Sequence, residues 1–417
     1  MPMTERSAAI EIIKTLREKG HEALLAGGCV RDELLGLEPK DFDVVTSAMP
    51  DEVGRLFKEA WEVGKAFAVM QVRVGGHWIE VATYRSDGEY SDRRRPDKVE
   101  FADGPSDARR RDFTVNALFL DPLDEEAGPI GRVVDHVGGV ADLEKRILRA
   151  VGDPKDRLGE DHLRALRAVR FASRLGFEIE EHTAQAIRLH SSELSGVSRE
   201  RVGEEMKKMM GHPGRVRAAM LMQQLGLDAP ALGEVTMPEA PLRAMELLSD
   251  DSASAEALAA WAYGRHGHDP GKSGDVVAGW RASLCLSNDD TQTMSRVLEL
   301  IGVMDAGQWE EACVATRKRL ARSVGFESAV RIVSGHAPNV SAEVRLDVES
   351  LISDGIGLQP VVLLDGNDLI NMGLRPGPKF GRYLGALETE QLEGRVRTIQ
   401  EAQELIKKLD VPAADQE

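Results

Sequence analysis

Cysteine is scarce in this chain: Cys29, Cys285 and Cys313 are the only three in 417 residues, widely separated and with no Cys-x-x-Cys pair. That scarcity excludes a disulfide-stapled scaffold and a cysteine-built zinc site, and it fits a reducing, cytoplasmic setting. Long apolar runs are missing too, so no segment approaches the length of a membrane span. The first twenty residues, MPMTERSAAIEIIKTLREKG, lack the hydrophobic core of a secretory leader and read as an amphipathic helix ending at Gly20. A net positive charge is also lacking. The formal balance is −17, which taken alone argues against a nucleic-acid partner. Internal repeats and low-complexity tracts are absent.

What is present is the composition of an ordinary globular protein, 42% hydrophobic and 29% charged. The length implies roughly three or four domains. Charge is unevenly spread: residues 145–217 hold 16 Lys and Arg against 11 Asp and Glu. Such a segment can bind RNA within an acidic protein, and a solvated helical surface would show the same excess.

The most informative stretch is LLAGGCVRDELLGLEPKDFDVVT, residues 24–46. Asp41 and Asp43 stand at the start of the β-branched run Val44-Val45-Thr46, which reads as a strand. Positions i and i+2 of a strand share a face, so both carboxylates can reach one site. Paired hard oxygen donors suit Mg²⁺, which takes one or two protein carboxylates and completes its shell with phosphate oxygens and water. The turn at Gly27 and Gly28 lets backbone N–H groups approach a triphosphate, and Arg31 follows it. Together these imply nucleotidyl transfer by metal-assisted in-line displacement.

The first ~145 residues read as α/β: a helix over 4–19, a strand at Leu24–Ala26, a short helical turn at Glu33–Leu35 and the Asp43 strand. A helix over Asp51–Ala60, behind Pro50, comes next. A hairpin of Ala68–Val74 and Trp78–Tyr84 turns about Gly75–Gly76. Residues 86–97 are charged and disordered-looking, and Val133–His136 with a Gly138–Gly139 turn closes the region. Helical spacing then takes over in Arg157–Leu175, Glu181–Ser191 and Arg199–Met210. Residues 213–335 read as a helical body with a loop near 264–276, and 336–417 as a helical tail with a turn-rich section at 373–381 and a frayed end.

Glu80 lies in Trp78-Ile79-Glu80-Val81-Ala82, either as a third metal ligand or on an exposed face. Arg109–Ala117, RRRDFTVNA, concentrates guanidinium forks suited to phosphate or ribose, and Asn116 can both donate and accept. In EDHLRALRAVRFA, 160–172, Asp161 and Arg164 stand i and i+3 on a helix. They are placed to pair with a base edge or to form an intrahelical salt bridge.

GGCVRD, KDFDVVT, RRRDFTVNA and EDHLRALRAVRFA, in this order and at these gaps, resemble the class II tRNA nucleotidyltransferase (CCA-adding enzyme) and bacterial poly(A) polymerase family of the polymerase β superfamily. The motifs cover residues ~24–212, and the tail from LLDGNDLINMGLRPGPKFG onward is similar to that of bacterial CCA-adding enzymes. The resemblance implies an α+β fold, with a nucleotidyltransferase head (1–145) followed by an all-helical neck (146–212), body (213–335) and tRNA-binding tail (336–417). It implies Asp41 and Asp43 as metal-binding catalytic residues, with Gly27, Gly28 and Arg31 at the triphosphate. Arg111, Asp112 and Asn116 would handle the nucleotide, while Glu160, Asp161 and Arg164, with Arg167 and Arg170 on the same helix, would select it.

The implied activity is template-independent addition of CCA to the tRNA 3′ end from CTP and ATP with Mg²⁺. An A-adding enzyme or poly(A) polymerase is the alternative within the family. RSDGEYSDRRRP (85–96) is similar to the flexible loop of CCA- and A-adding members, which argues against a CC-only enzyme. Outside that reading stand an RNA-binding protein on an inactive scaffold and an HD-type hydrolase, the latter suggested by His268-Asp269-Pro270-Gly271-Lys272. That glycine-rich, polar setting is a surface loop rather than a ligand helix. No oligomeric state follows from the sequence.

Overall fold

Thr4 caps the first helix, its hydroxyl accepting the Ser7 N–H while the Ser7 side chain returns to the Thr4 backbone. This helix, α1 (Glu5–Glu18), buries Ala8, Ala9, Ile12, Ile13 and Leu16 along one stripe. Each large side chain so buried contributes about 1.5–3 kcal/mol. The stripe packs on a sheet, touching its central strands. A computed structural model describes residues 3–63, 68–87, 99–267 and 270–410.

In chain order the elements that follow are β1 (Ala23–Ala26), α2 (Gly28–Leu34), β2 (Asp43–Thr46), α3 (Pro50–Leu56), β3 (Ala60–Glu62), β4 (Val69–Val74) and β5 (His77–Thr83). Next come β6 (Arg85–Asp87), β7 (Val99–Phe101), α4 (Gly104–Arg110), β8 (Phe119–Asp121), β9 (Arg132–Val134) and α5 (Gly139–Glu144). Among the described residues the main sheet has seven strands in the order β3-β4-β5-β2-β1-β8-β9. Only its β2–β5 pair is parallel, with Asp43 opposite Glu80. Gly75 and Gly76, at φ 58° and 90°, make the tight turn between β4 and β5. Leu24, Ala26, Val45, Tyr84, Ala117 and Phe119 form a core on the face opposite α1.

The next segment comprises β10 (Ile147–Leu148), α6 (Pro154–Glu160), α7 (Leu163–Leu175), β11 (Glu178–Ile179), α8 (Glu181–His190) and α9 (Arg199–Met210). Residues 1–209 with 217–237 form one compact unit; 210–216 with 238–417 form another. The second unit is helical, and its last segment has a core of Leu364, Leu369, Tyr383, Leu387, Val396, Ala402 and Ile406. The α+β expectation holds: a mixed sheet, then helices.

Three local expectations are corrected. The helix expected over 51–60 ends at Leu56, because buried Phe57 turns extended and Ala60–Glu62 is recruited as an edge strand on β4. The helix expected over 157–175 breaks at Asp161, whose φ of −149° is extended, so α6 and α7 are separate. The loop expected near 264–276 is largely helix, Ser254–His266 and Pro270–Leu284 flanking Gly267. His268 and Asp269, and nearly all of the 86–97 segment, lie outside the described residues.

Candidate active site

The end of β1, the start of β2 and the middle of β5 meet at one open cleft of about 680 Å³. Asp41, Asp43 and Glu80 line it together. The parallel register supplies Glu80: its side chain shares the Asp43 row and hence the Asp43 face. Burial and the Glu80 charge push the Asp43 carboxyl up to about 6, against the pull of Arg111, and Asp41 adds to the rise. Glu80 is raised as well, by burial first, with Arg85 opposing and Asp41 adding. Three hard oxygen donors thus line one cleft, although their ligand atoms are not all drawn within 4.8 Å of one another. That donor set fits a divalent cation of the Mg²⁺ type.

Gly27 adopts φ 75°, ψ −123°, a backbone that side-chain-bearing residues rarely take, and a Cβ there would sit 2.9 Å from Arg111 Nη1. The close approach brings the Arg111 guanidinium over the turn, where it donates to the Asn116 carbonyl (3.2 Å) and to Asp107 (3.0 Å). Arg31, only 2% exposed, donates to Asp32 at 2.6 and 2.8 Å and to Asn116 Oδ1 at 2.5 Å. Asn116 donates in turn to Asp112 Oδ1 (3.1 Å), and Arg167 on α7 donates to Asp112 Oδ2 (2.8 Å). Burial opposes ionisation of Asp112, but Arg167 and the Asn116 amide outweigh it and hold the carboxyl below its usual range. A continuous chain of charged bonds therefore ties α2 to the turn before β8 and to α7.

Asp161, Arg164, Arg167 and Arg170 also line the cleft. Arg170 lies 4.3 Å from the Phe171 ring centroid and donates to Glu205 (2.5 Å), while Arg31 and Arg167 each lie 5.3 Å from the same ring. Asp161 and Arg164, for which an intrahelical salt bridge is one alternative, take other charged partners. Arg164 donates to Glu160 (2.5 Å) and to the Arg157 carbonyl, whereas Asp161 accepts from Arg201 on α9 (2.6 Å). Glu160 stands behind Arg164 and does not line the cleft. Every other site residue expected from the sequence does. Nine Lys and Arg line the cleft against six Asp and Glu, reversing locally the sign of the whole chain.

Sequence reading missed Asp32, Arg174, Phe171 and Arg201. Asp32 was visible beside Arg31, and Arg174 continues the arginine spacing 164-167-170; Arg201 is joined to Asp161 only through the fold. His162, His190 and Glu193 bring ligand-type atoms within 4.8 Å of one another, but none lines the cleft.

Cys29 borders the cleft but is buried, and burial pushes its thiol up to about 11. In the folded protein at pH 8, iodoacetamide is expected to label Cys285 and Cys313 and leave Cys29 unmodified until denaturant is added. Peptide mass mapping checks this, and rapid native labelling of Cys29 would contradict it.

Residues 23–149 match the family described as poly A polymerase head domain, and residues 176–236 match the probable RNA and SrmB-binding site of polymerase A. The CCA-adding enzyme of Lactobacillus johnsonii is 32% identical over 412 residues, covering 93% of this chain and 93% of that one. The chain belongs to the CCA-adding enzyme family. A second family member, from Lactiplantibacillus plantarum, is 33% identical over 396 residues, covering 92% of this chain and 91% of its own. The crystal structure of the Bacillus stearothermophilus CCA-adding enzyme in complex with CTP superposes with a TM-score of 0.72 at 27% identity, covering 98% of each chain. No described helix of this family member is long and apolar enough to cross a membrane.

Proposed function

We propose that this protein adds CCA to the 3′ end of tRNA from CTP and ATP, without a nucleic-acid template, releasing pyrophosphate. One observation carries the reading: three carboxylates face a helix of cleft-lining arginines across one cleft, in a chain that aligns with CCA-adding enzymes over nearly its whole length. Residues 1–145 act as the catalytic head and 146–212 as the nucleotide-selecting neck. Residues 213–335 and 336–417 form the body and tail that hold tRNA through its A-form shape and backbone. The cytoplasm, where tRNA matures, is the compartment this reading assigns.

Asp41 and Asp43, with Glu80 beside them, would hold divalent ions, and Mg²⁺ is the choice their oxygen donors favour. Bound there, Mg²⁺ neutralises charge at the reacting phosphate and makes the attacking hydroxyl more acidic. The turn at Gly27 and Gly28, with Arg31 and Arg111 around it, cradles the triphosphate. Asp112 and Asn116 orient the sugar, held by the bonds from Arg31 and Arg167. Asp161 accepts from, and Arg164 donates to, the edge of the incoming base. Glu160 acts by positioning Arg164. The RNA 3′-hydroxyl attacks the α-phosphorus, an O–P bond forms to the RNA, and the bond to pyrophosphate breaks on the opposite side.

The deciding experiment gives CTP, ATP or both, with Mg²⁺, to a tRNA ending at its discriminator base, the same tRNA ending in CC, and an unstructured RNA. Two C then one A, confined to the tRNAs, is the expected result. A alone on the CC-ended tRNA would mark an A-adding enzyme, and long A tails on the unstructured RNA a poly(A) polymerase.

Arg164→Ala is expected to lower discrimination against UTP and GTP by about 10- to 100-fold, the range of one lost bidentate contact, while RNA affinity stays within about twofold. Arg201→Ala should blur selection in the same direction by freeing the Asp161 carboxylate. Misincorporation assays check both, and full selectivity in Arg164→Ala would remove the base-reading role from this helix.

A further inference from the structure

From the structure we infer a second RNA contact on the head: Trp61 and Trp78, with Arg73, form a stacking platform for the unpaired bases just upstream of the reacting 3′-hydroxyl. The inference rests on the nucleotidyl-transfer reading above. Trp61 and Trp78 are 52% and 37% exposed, and their ring centroids lie 3.9 Å apart. The Arg73 guanidinium lies 5.4 Å from the Trp78 centroid and also donates to Glu59 (3.3 Å). Two large exposed aromatics side by side leave apolar surface in water, which a stacking ligand would cover.

Sheet register fixes which face they share. Asp43 pairs with Glu80, Glu80 with Gln71 and Gln71 with Trp61. Directly paired residues project to the same side of a sheet, so Trp61 lies three strands out from Asp43 on the same face, ~14 Å away at the usual strand spacing. Trp78 is two residues before Glu80 on β5 and opposite Arg73, so both belong to that face too. The opposite faces of these strands carry Met70, Val72, Ile79 and Val81, which are buried.

In-line displacement then assigns the occupant. Gly27 follows β1, while Arg111 and Asn116 precede β8, so the triphosphate cradle lies on the β1–β8 side of the carboxylates. The attacking hydroxyl must approach the phosphorus from the side opposite the leaving pyrophosphate. The RNA end therefore reaches Asp43 across β5, β4 and β3, where Trp78 and Trp61 stand. Bases there stack without sequence readout, as every base has a π-face.

The remaining tryptophans, Trp261, Trp280 and Trp309, are at most 3% exposed, so emission changes on RNA binding report mainly the two head residues. The test titrates a CC-ended tRNA into the full-length protein with CTP absent, and measures KM for that RNA and for ATP in Trp61→Ala, Trp78→Ala, Trp61→Phe and Trp78→Phe. Emission is expected to fall in the wild type and less in each single variant. KM for RNA should rise roughly tenfold in the alanine variants and stay near wild type in the phenylalanine ones, with KM for ATP unchanged. Alanine variants that turn over RNA normally, in a wild type that does add A, would overturn the platform and leave the activity standing. Equal loss in the alanine and phenylalanine variants would also overturn it, by pointing to misfolding of the sheet edge. Wild-type protein that adds no nucleotide at all would overturn the underlying reading instead.

Discussion

Asp43→Ala is expected to abolish incorporation of both CTP and ATP, by on the order of 10³-fold or more, while tRNA still binds. The substitution removes a carboxylate at the point where β2 meets β5, and with it charge stabilisation of the kind whose loss costs 10²–10³-fold in rate. A paired stability measurement isolates the metal. In the metal-free protein, burial and Glu80 raise the Asp43 pKa from 3.8 to about 6. A carboxyl raised on folding favours the folded state when protonated, and that benefit fades as pH rises from about 4 through 6. Above pH 6 the ionised group opposes folding. Asp43→Asn at pH 7.5 without metal should therefore melt at or above the wild type, and added Mg²⁺ should raise the wild-type melting temperature more than that of the variant. A variant that melts well below metal-free wild type would mean Asp43 is held by partners other than a cation.

The second large effect is expected from Asp112→Ala. Its carboxylate accepts from the Phe113 N–H (2.8 Å), Asn116 (3.1 Å) and Arg167 (2.8 Å), joining three segments of the cleft wall. Its removal strands the Arg167 guanidinium and lets Arg31 and Asn116 drift together. The Arg167 side chain is about one-third exposed, so the loss falls short of the about 3–5 kcal/mol of a fully buried pair, and the urea midpoint followed by circular dichroism should fall, along with activity. The carboxyl is held below its usual range on folding, so its contribution is complete above the unfolded value near 4 and is lost as pH falls further. The wild-type advantage over Asp112→Ala should therefore shrink below about pH 4. A difference unchanged at acid pH would show that packing, not the charged bonds, holds the wall.

Local chemistry made much of this site legible. Asp41 and Asp43 are two residues apart, Gly27 and Gly28 are adjacent, and the α7 arginines repeat every three residues, so short-range spacing brings each set to the same cleft. Glu80 was ambiguous because its role depends on β5 lying parallel beside β2, a pairing across 37 positions that no local pattern encodes. The break at Asp161 was hidden for a different reason: apolar spacing continues from Leu158 through Leu163 and Leu166, so periodicity sees one helix. At the break the Asp161 carboxylate accepts the Leu163 N–H (3.1 Å) at the start of α7 and also accepts from Arg201 on α9, some 40 residues downstream. Phe57 ended its helix early for the related reason that edge pairing with β4 captured the chain beyond it.

The sheet order also governs how this protein can be made. β1 lies between β2 and β8, so its second hydrogen-bonded edge stays open until residues 119–121 have been synthesised. β8 in turn awaits β9 at 132–134. An emerging chain of about a hundred residues would carry both Asp41 and Asp43 and yet expose the apolar strand Ala23–Ala26 along one side, a template for pairing with other chains. Such long-range pairing slows folding. Fragments that stop before residue 134 should collect in the insoluble fraction, and the head becomes a self-sufficient target for truncation only beyond that point.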